Sequence, residues 1–170
     1  MNYLDHHGKI DRIVHENVPG ELWLSDIDGA RSQKADEFDR VVTVCQDSVL
    51  DTLHADQRYE IYRLCDGDCR GRAFKGTDDY EVFRSAIRSI VDSLNDGERI
   101  LVHCHAGLSR SVSTAAGVYA TVNGIEDADE AYEAVKDVRG YITPMTGMQR
   151  RLRRYIAEIN DADGGDARDE

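Results

Sequence analysis

Lysine is nearly missing from this chain, at Lys9, Lys34, Lys75 and Lys136 only, while arginine is plentiful and aspartate outnumbers glutamate two to one. Acidic residues number 33 against 21 basic ones, a formal net charge of −12. A surface of that sign repels nucleic acid and anionic membrane, so neither is expected as a partner. Acidity alone does not require lysine to be scarce and aspartate abundant. That combination points to a halophilic protein in a salt-rich cytoplasm, where repulsion is screened over about 3 Å at 1 M. Also missing are an apolar run of about 18 residues, which a spanning helix needs, and a charged-then-apolar leader. The four cysteines have no metal-like spacing. Together these absences imply a reduced, soluble, cytoplasmic protein with no metal and no cofactor. Cys65 and Cys69 are four apart, half of a zinc set with no second pair in view, and are expected as unpaired thiols in a loop. His6-His7 belong with a flexible start.

What is present is one domain's worth of alternating patterns, with no repeat and no internal linker. Residues 1–9 are expected to be a flexible N-terminus, 10–159 the folded domain, and 160–170 a disordered acidic tail too polar to pack. Apolar runs predict strands near Arg12–Val14, Glu21–Ser25, Arg40–Val44, Arg58–Leu64 and Arg99–Cys104. Helical patterns fall near Ala30–Phe38, Val49–Leu53, Asp79–Asn95, Ser111–Val122, Asp127–Val138 and Gly147–Ile159. The clearest is Asp79–Asn95, where Val82, Phe83, Ala86, Ile87, Ile90, Val91 and Leu94 recur at three and four and make one buried stripe. Strands alternating with helices, then helices alone, imply a single-domain α/β fold. Its central, mainly parallel sheet of about five strands is flanked by helices, with the ligand at the C-terminal sheet edge.

The most informative segment is His103-Cys104-His105-Ala106-Gly107-Leu108-Ser109-Arg110-Ser111. It lies between a strand-like run, Arg99-Ile100-Leu101-Val102, and a helix-like run from Val112 to Val122. A thiol thus ends a buried strand, and an arginine six residues later opens a helix. The amides of His105, Ala106, Gly107, Leu108 and Ser109 can converge on one point, and a helix N-terminus above them is an anion site. Arg110 adds a planar fork matched to two phosphate oxygens. The same donors would lower the Cys104 pKa and make a thiolate nucleophile. Cys45, Cys65 and Cys69 have Asp51, Gly71 and Lys75 at the corresponding distance, so only Cys104 has this spacing.

His-Cys-x-x-Gly-x-x-Arg-Ser resembles the signature of the cysteine-dependent protein tyrosine phosphatases, and Ala-Gly-x-Ser-Arg-Ser resembles their compact dual-specificity branch. The likeness runs over most of residues 12–156. Glu21-Leu22-Trp23-Leu24-Ser25 with Asp28-Gly29-Ala30 is similar to that branch's opening strand and turn. The resemblance implies a protein tyrosine phosphatase-like fold and a two-step phosphoryl transfer. In it Cys104 attacks phosphorus, an aspartic acid protonates the leaving oxygen, and water hydrolyses the phosphocysteine. It implies that Ser111 hydrogen-bonds the sulfur as it leaves, and that the acid lies some three dozen residues before the nucleophile. Asp66 is 38 positions before Cys104 and Asp68 is 36. Asp66 is favoured because it starts the loop after the strand ending near Leu64, and Asp68 is the alternative.

Other residues carry less. On the alternating faces of a strand the His103 side chain points away from Cys104, so it is expected to hold the loop by hydrogen bonds rather than act as a base. Arg70, Arg72 and Lys75 form a basic knot that could grip a second anionic group. Val138-Arg139-Gly140-Tyr141-Ile142-Thr143-Pro144-Met145 and Met148-Gln149 look like the family's Arg-Pro-x-x-x-Pro-Asn and Phe-x-x-Gln region. Gly140 replaces its first proline, Met145 replaces the asparagine that braces the loop, and Gln149 is the counterpart of a water-positioning residue. The expected function is a phosphomonoesterase acting on phosphotyrosine and also on phosphoserine or phosphothreonine of a phosphorylated protein substrate. The alternatives are a phosphate-recognition module without turnover and a rhodanese-like sulfurtransferase.

Overall fold

The computed structural model describes residues 3–13, 15–66 and 79–166. Five strands form one sheet: β1 (Ile10–Ile13), β2 (Glu21–Ser25), β3 (Arg40–Thr43), β4 (Arg58–Ile61) and β5 (Arg99–His103). Their order is β1-β2-β5-β3-β4, with β1 antiparallel to β2 and all other pairs parallel. The strand that leads into Cys104 is therefore the central one, buried from end to end after Arg99.

Alternation along the strands makes two cores. Leu22, Leu24, Val42, Ile100 and Val102 face one side. There they meet α2 (Asp79–Asn95), α3 (Arg110–Asn123), α4 (Ala128–Arg139) and α5 (Thr146–Asp166). Val41 and Leu101 face the other side, with Ile27 and Ala30 of α1 (Ile27–Arg31) and with Ala35 and Phe38. The α2 stripe is buried through Phe83, Ala86, Ile87, Ile90 and Leu94. At about 1.5–3 kcal/mol per large apolar side chain, it anchors the larger core.

Several boundaries differ from the sequence-based expectation. The first strand begins at Ile10, two residues early, because it pairs along β2 as far as Ser25. The long helix expected over Ala30–Phe38 is instead α1 and a separate 3-10 turn, Gln33–Glu37. Asp26 caps the Gly29 amide, and extended Ser32 turns its hydroxyl back on the Gly29 carbonyl at 2.7 Å. The first bond starts the helix at Ile27 and the second stops it at Arg31. Val49–Leu53 shrinks to the 3-10 turn Leu50–Thr52, and β4 stops at Ile61 rather than Leu64. α5 continues to Asp166, through residues expected to be disordered, since extending an existing helix adds one hydrogen bond per residue fixed. Cys65, expected as an unpaired thiol, is disulfide-bonded. Asp68, Cys69, Arg70, Arg72 and Lys75 lie outside the described residues.

Candidate active site

β5 ends at His103, Cys104 is 2% exposed, and Arg110 opens α3. The loop between them is held from outside by its carbonyls. His103 Nδ1 lies 3.2 Å from the Cys104 oxygen. The Ile27 amide donates to the His105 carbonyl at 3.0 Å. Arg139 Nε donates to that of Gly107 at 3.1 Å, and the Thr143 amide to that of Leu108 at 3.0 Å. A trans peptide points its N–H opposite to its C=O. Each outward-pinned carbonyl therefore turns the next amide, at His105, Ala106, Leu108 and Ser109, into the hollow over Cys104. The remaining amide, at Gly107, donates to Cys104 Sγ at 3.2 Å. Gly107 has φ +69°, and a Cβ there would lie 2.5 Å from Arg139 Nη2 and 2.9 Å from the Asp26 nitrogen. Only glycine meets both conditions.

Ser111 Oγ lies 3.1 Å from Cys104 Sγ. Arg110 Nη1 donates to the Leu64 carbonyl at 3.3 Å, and Gln46 Nε2 donates to the same oxygen at 3.1 Å. The start of the segment that carries Asp66 is thereby tied to the arginine. Asp66 Oδ2 is 3.5 Å from Arg110 Nε, an ion pair without hydrogen-bond geometry, and its Oδ1 is buried with no hydrogen-bond partner among the described residues. Asp66, 38 positions before Cys104 in sequence, thus shares one site with Cys104, Arg110 and Ser111. The five loop residues His105, Ala106, Gly107, Leu108 and Ser109 surround it.

A chain of hydrogen bonds runs behind the loop with its direction fixed by chemistry. Burial pushes the His103 pKa down to about 4, so the ring is neutral and carries one proton. Nδ1 faces a carbonyl and must be the donor. Nε2 must then accept, and its partner at 2.6 Å is the Thr43 hydroxyl. With its own proton on His103, Thr43 accepts from Tyr59 Oη at 2.7 Å, the nearer of two hydroxyls in reach of Tyr59, the other being Ser48 Oγ at 3.3 Å. Tyr59 Oη accepts from the Val49 amide at 3.2 Å. Burial pushes the Cys45 thiol up to about 11, so this second buried cysteine is no nucleophile at neutral pH.

At the rim, His105 Nδ1 pairs with Asp47 Oδ2 at 3.3 Å, both well exposed. The large hydrophobics that stand exposed among the described residues are Leu50 and Met145. Leu50 lies three residues after Asp47, and Met145 adjoins this site through its amide on Ser109 Oγ at 3.0 Å. That amide and the amide of Thr143 brace the loop where the family pattern has an asparagine. Gln149 Nε2 is bound to the Pro144 carbonyl at 2.8 Å. Among the described residues no group of three or more His, Cys, Asp or Glu is arranged to hold a metal.

Sequence reasoning missed Thr43, Tyr59 and Asp11, and it named Arg139 only as part of a motif. Nothing local marks them, since their partners lie 60, 16, 128 and 32 residues away.

A buried cysteine under converging amides, at the end of the central strand and capped by a helix-opening arginine, defines the cysteine-dependent protein tyrosine phosphatase superfamily. Residues 26–158 match the family model "Dual specificity phosphatase, catalytic domain". The chain belongs to that family. It is 41% identical over 73 residues to dual specificity protein phosphatase 22-B of Danio rerio, a match covering 43% of this chain and 39% of that one. It is 46% identical over 78 residues to dual specificity protein phosphatase 2 of Mus musculus, covering 45% and 24%. These matches therefore span well under half the length of either relative. The fold is that of human DUSP28, with TM-score 0.69 and 16% identity over 89% of this chain and 95% of that one. It is also that of PTPMT1 in complex with PI(5)P, with TM-score 0.68 and 17% identity over 91% and 98%.

Proposed function

We propose that this chain is a metal-independent phosphomonoesterase that dephosphorylates phosphotyrosine, and also phosphoserine or phosphothreonine, in protein substrates. The observation that carries the reading is the convergence of thiol, hydroxyl, guanidinium and carboxyl at one hollow: Ser111 Oγ at 3.1 Å and the Gly107 amide at 3.2 Å from Cys104 Sγ, with Asp66 on Arg110.

In the first step the Cys104 thiolate attacks phosphorus, the P–O ester bond breaks, and Asp66 gives its proton to the leaving oxygen. The inward amides and the Arg110 fork take the three non-bridging oxygens, where charge is greatest. Phosphate binding would draw Arg110 away from Asp66 and leave the carboxyl beside the ester oxygen. In the second step water attacks phosphorus, Asp66 takes its proton, and the P–S bond breaks. The Ser111 hydroxyl donates to the departing thiolate. Arg110 is the only cationic side chain between Cys104 and Ser111, a sparse charge for a polyphosphorylated ligand. The exposed Met145 beside the loop suits an apolar or aromatic phosphate carrier. Among the described residues no helix is long and apolar enough to cross a membrane.

Turnover of an aryl phosphate, compared with thiosulfate, tests the class. Cys104→Ser should abolish phosphate release while vanadate still binds, and Arg110→Lys should impair both, because an ammonium cannot reproduce the fork. Asp66→Asn should slow phosphotyrosine roughly 10²–10⁴-fold, and an activated aryl phosphate far less. Thiosulfate turnover, or phosphate binding without release, would replace this reading with a sulfurtransferase or a recognition module. If Asp68→Asn alone shows the leaving-group effect, Asp68 is the acid.

A further inference from the structure

Arg139, the last residue of α4, is fully buried and holds two distant pieces of chain at once. Its Nε donates to the Gly107 carbonyl at 3.1 Å. Its Nη1 donates to Asp11 Oδ2 and to the Lys9 carbonyl, each at 2.8 Å. Asp11 sits on β1 and is itself 7% exposed; its other oxygen meets Lys9 Nζ at 3.1 Å. β1 precedes the residues 26–158 matched by the catalytic family.

We infer that Asp11 is a positioning residue for phosphate binding, acting through Arg139 on the Gly107–Leu108 peptide; this rests on the phosphatase reading above. A buried guanidinium needs a counter-charge, and without Asp11 it would turn toward solvent or another acceptor. The guanidinium is rigid and planar, so the carboxylate that grips one edge sets where Nε points. Nε grips the Gly107 carbonyl, and the planar trans peptide then aims the Leu108 amide at the hollow over Cys104. Gly107 lacks a Cβ where Arg139 Nη2 stands, 2.5 Å from the position one would occupy. Substrate never touches Asp11, yet one of the amides meant for phosphate is oriented by it.

The test is Asp11→Asn in the full chain, with vanadate inhibition and aryl phosphate kinetics measured well below the variant's melting temperature. Vanadate affinity should fall roughly ten- to a hundredfold, the range for a misdirected hydrogen bond to a charged group, and Asp11→Glu should recover most of it. A lower melting temperature with unchanged vanadate affinity would overturn the inference, reducing the ion pair to a structural support. If Asp11→Asn does not fold, Arg139→Lys decides. It keeps a charge for Asp11 but cannot also hold Gly107, so it should fold and bind vanadate weakly; wild-type affinity would be fatal. A wild-type protein that binds vanadate but releases no phosphate would sink the catalytic reading alone, leaving this comparison of affinities intact.

Discussion

The directed chain Val49–Tyr59–Thr43–His103–Cys104 makes a graded prediction. Thr43→Val keeps the side-chain shape and removes the proton that His103 Nε2 accepts at 2.6 Å. The imidazole is fully buried, so the acceptor is orphaned without water to replace its partner. That costs about 1–3 kcal/mol. Moving the proton to Nε2 gives no escape, because Nδ1 would then present a lone pair to the Cys104 carbonyl 3.2 Å away. For a protein of this size 1 kcal/mol is roughly 2–4 °C, so melting should drop by roughly 2–12 °C. Release of the Cys104 carbonyl also frees the His105 amide, so vanadate affinity should weaken as well. Tyr59→Phe leaves Thr43 its own proton for His103 but orphans the buried Val49 amide, so it should lower the melting temperature while weakening vanadate less than Thr43→Val. Scanning calorimetry with vanadate inhibition reads both effects. A Thr43→Val protein that melts within a degree of wild type and binds vanadate equally would refute the chain. A larger loss of vanadate affinity from Tyr59→Phe than from Thr43→Val would refute its direction.

Three other outcomes are expected. Gly107→Ala places a Cβ 2.9 Å from the Asp26 nitrogen and 3.0 Å from the Ser25 carbonyl carbon. With the left-handed penalty of about 1–2 kcal/mol added to overpacking of about 1–3 kcal/mol, it should lower both the melting temperature and vanadate affinity; neutrality in both contradicts the packed loop. On acidification, His103 stays neutral in the folded protein down to about 4, while the unfolded chain protonates it near 6.5. Its contribution is therefore complete above 6.5 and lost as pH falls toward 4, about 3 kcal/mol in all. A His103→Gln protein titrating as steeply as wild type in urea unfolding across that window would exclude it. If the chain is halophilic, stability in urea should rise with potassium chloride into the molar range as repulsion among 33 carboxylates is screened; a maximum in low salt would contradict that.

The sequence alone determined whatever depends on neighbours along the chain. The thiol and arginine six apart are set by one loop, and the α2 stripe repeats at three and four because adjacent helical turns share a face. Strand alternation placed Ile100 and Val102 opposite Leu101, and the ordering of strands and helices implied the α/β sheet. Breaks set by a side chain turning on its own backbone, as at Ser32, were illegible because serine there is compatible with helix or cap. So was the continuation of α5, since polar residues do not by themselves end a helix. Only the tertiary structure decided how the loop is held. Thr43 meets His103 because β3 and β5 are adjacent and in register. Asp11 meets Arg139 because the edge strand comes beside the end of α4. Threonine, tyrosine and aspartate are common, and their hydrogen bonds have no periodicity, so their roles arise only when packing has removed water and left each group few partners in reach.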